Sequence, residues 1–240
     1  MPAPPRSVIL LVCCWVLTAA ARATVEHSTP APPLQSERPW RVVLDPGHGG
    51  AEAGAAGEGV REKDVALELC RSVARRLEAR GLVVFLTRSG DQTLAPSLRA
   101  ALANYREADL FLAIHLAGKG RGRSRGFELF VAPDAPPGDP FRWDRGQVPY
   151  RAASLQWAEA LRQELRDSVP TFDRGITVLP NPVLQAVACP AVVLELGNLA
   201  WPDEVAWLRS RDGRLALAEA VARAVERFRG SSVPGKPENR

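Results

Sequence analysis

The sequence predicts one α/β domain in which a β-sheet is covered by helices. From Trp40 onward, short β-branched runs alternate with stretches of helical periodicity, the pattern of a layered sheet-and-helix architecture. The chain has 240 residues, 46% of them hydrophobic and 24% charged, so it can bury a substantial core without needing a metal or disulfides merely to fold. No internal repeat divides it.

Residues 1–23 read as a signal peptide. Met1 to Arg6 is a short positive segment, Ser7 to Ala20 an apolar run, and Ala21-Arg22-Ala23 an A-x-A cleavage signal. The run is shorter than the roughly 18 apolar residues a spanning helix needs, so export with cleavage is expected ahead of anchoring. Val12 before Cys13 is bulky where a lipoprotein signal takes a small residue. Residues 24–39 form a Pro-rich linker, 40–229 the folded domain and 230–240 a polar tail.

Within the domain, Arg41 to Leu44 reads as a strand that stops at Asp45-Pro46-Gly47. Lys63 to Arg80 carries apolar residues at 65, 66, 69, 73 and 77, a helical stripe ended by Gly81. Leu82 to Thr87 is a second strand, Leu94 to Ala108 a second helix, and Asp109 to Ile114 a third strand ending at His115. Gly126 to Val131 alternates like a further strand nearer an edge, and 132–150 reads as a Pro-, Gly- and Asp-rich surface loop. Arg151 to Arg166 is a helix, Pro190 to Leu196 a buried strand, and Pro202 to Phe228 a closing helical segment.

Charge excludes little but points away from nucleic acid. Signal cleavage removes Arg6 and Arg22 and takes the formal charge from +4 to +2, too small an excess for a nucleic-acid binder. The basic run Lys119 to Arg125 has no interleaved aromatics to stack bases and reads as a solvated loop. Cys70 and Cys189 remain after cleavage, and the sequence leaves open whether they pair or are two core thiols.

Chemistry concentrates in four residues. Apart from His27 in the linker, the two histidines, His48 and His115, each stand close after a predicted strand, and open α/β sheets bind ligands at the carboxyl ends of their strands. Gly47, Gly49 and Gly50 let backbone and ligand approach closely around His48. Glu62 opens a helix after the Gly-rich loop 49–59, which can bring it back over the sheet edge. Two histidines and one carboxylate form a donor set used by catalytic zinc. Singly, each residue has an ordinary explanation: a satisfied polar group at a strand end, or a first-turn glutamate serving the helix dipole. Glu195 lies inside the apolar run Val192 to Leu196, where a carboxylate is costly without a partner or a task, and it is the candidate general base.

Asp45-Pro-Gly-His-Gly-Gly50, Glu62-Lys-Asp-Val-Ala-Leu67, Leu86-Thr-Arg88, Arg99 with Ala103-Asn104, Ala113-Ile-His115, Gly126-Phe-Glu128 and Leu194-Glu195 together closely resemble the zinc-dependent N-acetylmuramoyl-L-alanine amidases, in order and spacing, from about residue 41 to about 226. The resemblance implies a twisted, mostly parallel sheet of about six strands with helices on both faces. It implies Zn2+ held by His48, Glu62 and His115, with Glu195 as the catalytic glutamate. The implied reaction is hydrolysis of the amide between N-acetylmuramic acid and L-alanine in peptidoglycan. Asp45 is expected either to hold a ligand in place or to cap its turn.

Two departures stand out. Leu116-Ala117-Gly118 follows His115 where relatives commonly have Ala-Asn, which bears on substrate contacts. The interval 132–150 is too short and Pro-rich for the plug helix that some relatives place over the zinc, so control by localisation or by another, unidentified partner is expected. Peptidoglycan is the expected substrate; nucleic acid and stable membrane insertion after cleavage are not expected, and the chain is expected to be an exported monomer of the periplasm or cell envelope. Two alternatives share the same residues: a zinc peptidase acting within the stem peptide, and a non-catalytic peptidoglycan-binding regulator, which would be expected to have lost a ligand or the base.

Overall fold

The computed structural model describes residues 38–118, 124–134 and 146–231. The signal segment, the linker up to residue 37, residues 119–123 of the basic run, residues 135–145 of the interval considered for a plug helix, and the tail from residue 232 lie outside the described residues.

The elements follow one another as β1 (Arg41–Pro46), β2 (Ala56–Gly57), β3 (Val60–Arg61), α1 (Glu62–Glu78), β4 (Val83–Leu86), α2 (Pro96–Tyr105), β5 (Leu110–Ala117), β6 (Phe127–Val131), a 3-10 turn (Val148–Tyr150), α3 (Arg151–Ser168), β7 (Asp173–Val178), α4 (Pro182–Ala186), β8 (Ala191–Asn198), α5 (Pro202–Arg209) and α6 (Arg211–Gly230). Six strands form one sheet in the order β4-β1-β5-β8-β6-β7, and β2 and β3 form a separate small hairpin. The first four sheet strands run parallel, β6 is antiparallel to β8, and β7 is parallel to β6. This is the mixed, mostly parallel α/β sheet that the sequence pattern and the resemblance imply.

The central strands are apolar because both their faces are covered. Side chains alternate along a strand, so Val42, Leu44, Leu110, Leu112 and Ile114 enter one core while Val43, Phe111 and Ala113 enter the other. The first core receives α1, α3, α5 and α6, and the second receives α2 and α4. Cys70 belongs to the first core and Cys189 to the second, so the sheet stands between two buried thiols and they form no disulfide with each other. Among the described residues, no helix is long and apolar enough to cross a membrane.

Several boundaries differ from the sequence reading. His115 lies inside β5 and not at its end, because pairing with β8 continues through Ala117↔Asn198 after a register shift. The closing segment is two helices divided at Ser210, whose Oγ accepts a hydrogen bond from the Gly213 N–H and caps α6. β7 and α4 lie where the sequence showed no element. Asp, Arg and Gly weaken the strand signal of β7, and α4 is too short for periodicity. β7 occupies the outer edge beside β6, and an extra residue near Arg174–Gly175 bulges it, with Gly175 at φ 93°.

The Phe228 ring joins α6 to α3 through Trp157 (centroids 5.9 Å apart) and to the start of the domain through Trp40 (6.2 Å). Phe228→Ala is expected to cost about 3–5 kcal/mol of stability, read as a lowered urea midpoint. A loss below about 1 kcal/mol would mean that this aromatic joint does not hold the helical layer to the sheet.

Candidate active site

The site is built at the carboxyl ends of the parallel strands. After β1 the chain turns sharply, and His48 takes a left-handed backbone (φ 56°). The Gly47 N–H donates to the Ile114 carbonyl (3.0 Å), which fastens this turn to β5 beside His115.

Glu62 arrives by a different route. Its helix has no side-chain cap; instead the Glu62 N–H donates to the Ala55 carbonyl (2.8 Å) and the Lys63 N–H to the Ala53 carbonyl (3.2 Å). The Ala55 N–H in turn donates to Glu62 Oε2 (2.7 Å), a reciprocal pair that folds the loop after His48 back over the helix start. Gly54 is required there: a Cβ at this residue, whose φ is 69°, would stand 2.4 Å from Glu62 Oε2 and 2.6 Å from the His48 ring.

The three donors predicted from the sequence therefore meet. His48 Nε2 lies 3.2 Å from Glu62 Oε2, and His115 Nδ1 lies 2.8 Å from Glu62 Oε1, which also accepts the Leu116 N–H at 3.1 Å. The two imidazoles stand nearly perpendicular (79°), with centroids 5.1 Å apart. One nitrogen from each ring and one carboxylate oxygen all lie within 4.8 Å of one another. Tetrahedral zinc with bonds of about 2.0–2.1 Å sets neighbouring donors roughly 3.3 Å apart, so spacing and donor chemistry both fit that ion.

Glu195 lies beside this group. It pairs in register with His115 on one side and Glu128 on the other, so all three side chains leave the same face of the sheet. It is 9% exposed and lines a cavity of about 520 Å³ together with His48, Glu62 and His115. The lining also includes Phe130, Leu179 and Asn181, which the sequence reading did not single out. Asn181 caps α4, its side chain accepting from the Val183 and Leu184 N–H groups, and Asn followed by Pro at the first helical position was the signal available for that helix. Glu128 is tied away, with Oε1 accepting from the Thr177 hydroxyl (2.7 Å) and Oε2 3.0 Å from Arg174 Nη2. Asp45 holds neither imidazole directly; its Oδ1 accepts from Arg99 Nη1 (2.6 Å) and from the Thr87 hydroxyl.

Ionisation follows from these contacts. Burial alone would raise the Glu62 pKa, but hydrogen bonds with His115 and His48 and from the Ala55 N–H outweigh it and hold the carboxyl far below its ordinary 4.5. The hydrogen bond to Glu62 raises His48 above 6.5 against the opposing effect of burial. In the metal-free chain the Glu62 contribution to stability is present above about pH 4.5 and is lost as pH falls toward its depressed value. The His48 contribution is complete below about pH 6.5 and is lost as pH rises through its raised value. The stability difference between metal-free wild type and His48→Ala, from urea unfolding in chelator, is therefore expected to peak near pH 5–6 and shrink above it. A difference that stays flat to about pH 9 would show that no charged His48–Glu62 pair forms.

Comparison with known proteins matches this arrangement to a family. A family model described as N-acetylmuramoyl-L-alanine amidase matches residues 42–227. The sporulation-specific N-acetylmuramoyl-L-alanine amidase of Bacillus subtilis is 28% identical over 188 residues, covering 78% of this chain and 67% of that protein. The crystal structure of an N-acetylmuramoyl-L-alanine amidase from Clostridium difficile superposes with a TM-score of 0.70 at 27% identity, over 81% of this chain and 99% of its own. The catalytic domain of the amidase CwlV from Paenibacillus polymyxa gives 0.68 at 28% identity, over 79% and 97%. A match over nearly all of the described fold, with the His48–Glu62–His115 group at its centre, makes this chain a member of the N-acetylmuramoyl-L-alanine amidase family, a bacterial cell-wall amidase.

Proposed function

We infer that this amidase holds one zinc ion on His48, Glu62 and His115 and uses Glu195 as general base to cut the amide between N-acetylmuramic acid and L-alanine. The observation that carries this reading is the register of Glu195 beside His115, which puts a nearly buried carboxylate on the wall that the three donors share. Bound there, zinc would polarise the scissile carbonyl and lower the pKa of water to about 7. Glu195 takes the proton of the attacking water on a carboxylate oxygen and passes it to the leaving L-alanine nitrogen. Glu62 keeps its negative charge throughout, since its depressed pKa keeps it from competing for that proton. Val193, two residues before Glu195 on β8, and its register partner Phe130 on β6 add apolar surface to the cavity lining beside Glu195. The chain's place of action is the cell envelope, where its polymer substrate lies, and the leader at residues 1–23 is the proposed route of export.

The test is digestion of purified peptidoglycan. Wild type with zinc is expected to release stem peptides with free L-alanine amino termini, Glu195→Gln to lower kcat by about 10²–10⁴-fold, and full chelation to abolish release until zinc is restored. Undiminished release by Glu195→Gln would remove the base assignment, and activity surviving metal-free conditions would remove the zinc. Fragments cut within the stem, with the muramyl–alanine amide intact, would make the enzyme a peptidase.

A further inference from the structure

Beneath the His48 turn lie two guanidinium groups that the reaction itself does not use. Arg88 is 3% exposed and Arg99 5%. Arg99 Nη1 donates to the Pro46 carbonyl (2.9 Å) and Nη2 to the His48 carbonyl (2.8 Å). Arg88 Nε donates to the Pro46 carbonyl (3.0 Å), and its Nη2 donates both to the Gly47 carbonyl (2.8 Å) and to the Lys63 carbonyl (2.7 Å). Three consecutive carbonyls, 46 to 48, are therefore held from below by two cations, and one of those cations also grips the residue next to Glu62.

Such an arrangement is costly. Burying a charge carries a desolvation penalty of several kcal/mol, and two like charges add repulsion. Burial and the nearby Arg99 both push the Arg88 pKa down. Asp45, 1% exposed, bonds to Arg99, and the second cation is met chiefly by carbonyl oxygens. Carbonyls of an ordinary turn are satisfied by water or by neighbouring N–H groups at far lower cost. His48 within this turn is one of three non-glycine residues in the left-handed region among the described residues, a backbone conformation that strains an L-residue. A flexible turn would relax that strain and swing the imidazole away from Glu62.

We propose that Arg88 and Arg99 are positioning residues that lock the His48 backbone, with Arg88 also coupling that turn to the helix start carrying Glu62, so that two of the three donors are preset before a cation arrives. The fork of a guanidinium reaches two or three carbonyls at once, whereas a lysine ammonium is a single point donor and releases at least one of them. This inference rests on the proposed metal site, and its test separates the two.

Zinc affinity of the full chain is measured by competition with a chromophoric chelator for wild type, Arg88→Lys, Arg99→Lys, His115→Ala as the donor control, and Arg227→Gln as the stability control. Arg227 pairs with Glu164 between α6 and α3. The expected result is a fall in affinity of about 10–100-fold for each arginine-to-lysine variant, as for other groups that orient a ligand from behind. Arg227→Gln is expected to lower the urea midpoint without changing affinity. A second readout is available because the chain has three histidines: in 15N spectra of the metal-free variants, the His48 ring signals are expected to broaden or shift while those of His115 hold.

Folded lysine variants that bind zinc within about twofold of wild type would overturn the proposal, as would variants that are unfolded with and without zinc, since the guanidinium would then hold the fold and not the turn. Loss of affinity in Arg227→Gln equal to that in the lysine variants would overturn it as well, by tracing the effect to general stability. Wild-type affinity in His115→Ala would instead remove the metal site on which the inference stands.

Discussion

A carboxylate that is 3% exposed and still ionised must be surrounded by donors, and the shape of this domain around Glu62 follows from that requirement. Four groups meet it: two imidazole nitrogens and the N–H groups of Ala55 and Leu116. They come from two stretches of chain far apart in sequence, the loop after β1 and strand β5, and each must be held still for the others to reach the same carboxylate. The reciprocal bonds between Ala55 and Glu62 fold the Gly-rich loop, the extension of β5 past His115 supplies Leu116, and the buried arginines hold His48. The group that draws these elements together is also the one whose donor chemistry suits a cation.

Much of this was legible in the sequence, for physical reasons. The central strands declare themselves because a strand covered on both faces is apolar almost throughout, and β1, β5 and β8 read that way. Glu195 was conspicuous because it breaks such a run. His48 after β1, His115 near the end of the apolar β5 run and Glu62 at a helix start stand out in the sequence, and the parallel pairing of β1 with β5 brings the two histidines to one end of the sheet. What stayed hidden is tertiary. β7 is half exposed and contains residues that disfavour strands, so its existence depends on pairing with β6. Arg88 and Arg99 were visible as motif residues, but nothing in a linear pattern says which carbonyls a guanidinium will find. Asp45 is expected to steady a ligand or cap its turn, and its carboxylate bonds to Arg99, which in turn reaches the His48 carbonyl.

The reversal of chain direction at β6 decides what surrounds Glu195. Four parallel strands bring their carboxyl ends to one side of the sheet, and β6, running the other way, brings its amino end there. Glu128 thereby stands opposite Glu195, and two carboxylates on adjacent strands would repel if both were free. Arg174 and Thr177 of β7 take up the Glu128 carboxylate. The edge strand, remote from the three donors, thus shapes the electrostatics of the cavity wall.

The bulge in β7 has a second effect, on how the molecule meets other proteins. An outermost strand offers unpaired backbone groups to any extended chain that drifts past, a route to uncontrolled polymerisation. Here the ladder is interrupted at Arg174–Gly175, and Asp173 turns inward to accept the Gly175 N–H (2.9 Å) while also binding Arg162. A guest strand would find the register broken and one of the donors along this stretch already engaged. The irregularity beside Arg174 therefore makes this rim a poor template for a guest strand, which guards the domain against edge-to-edge assembly.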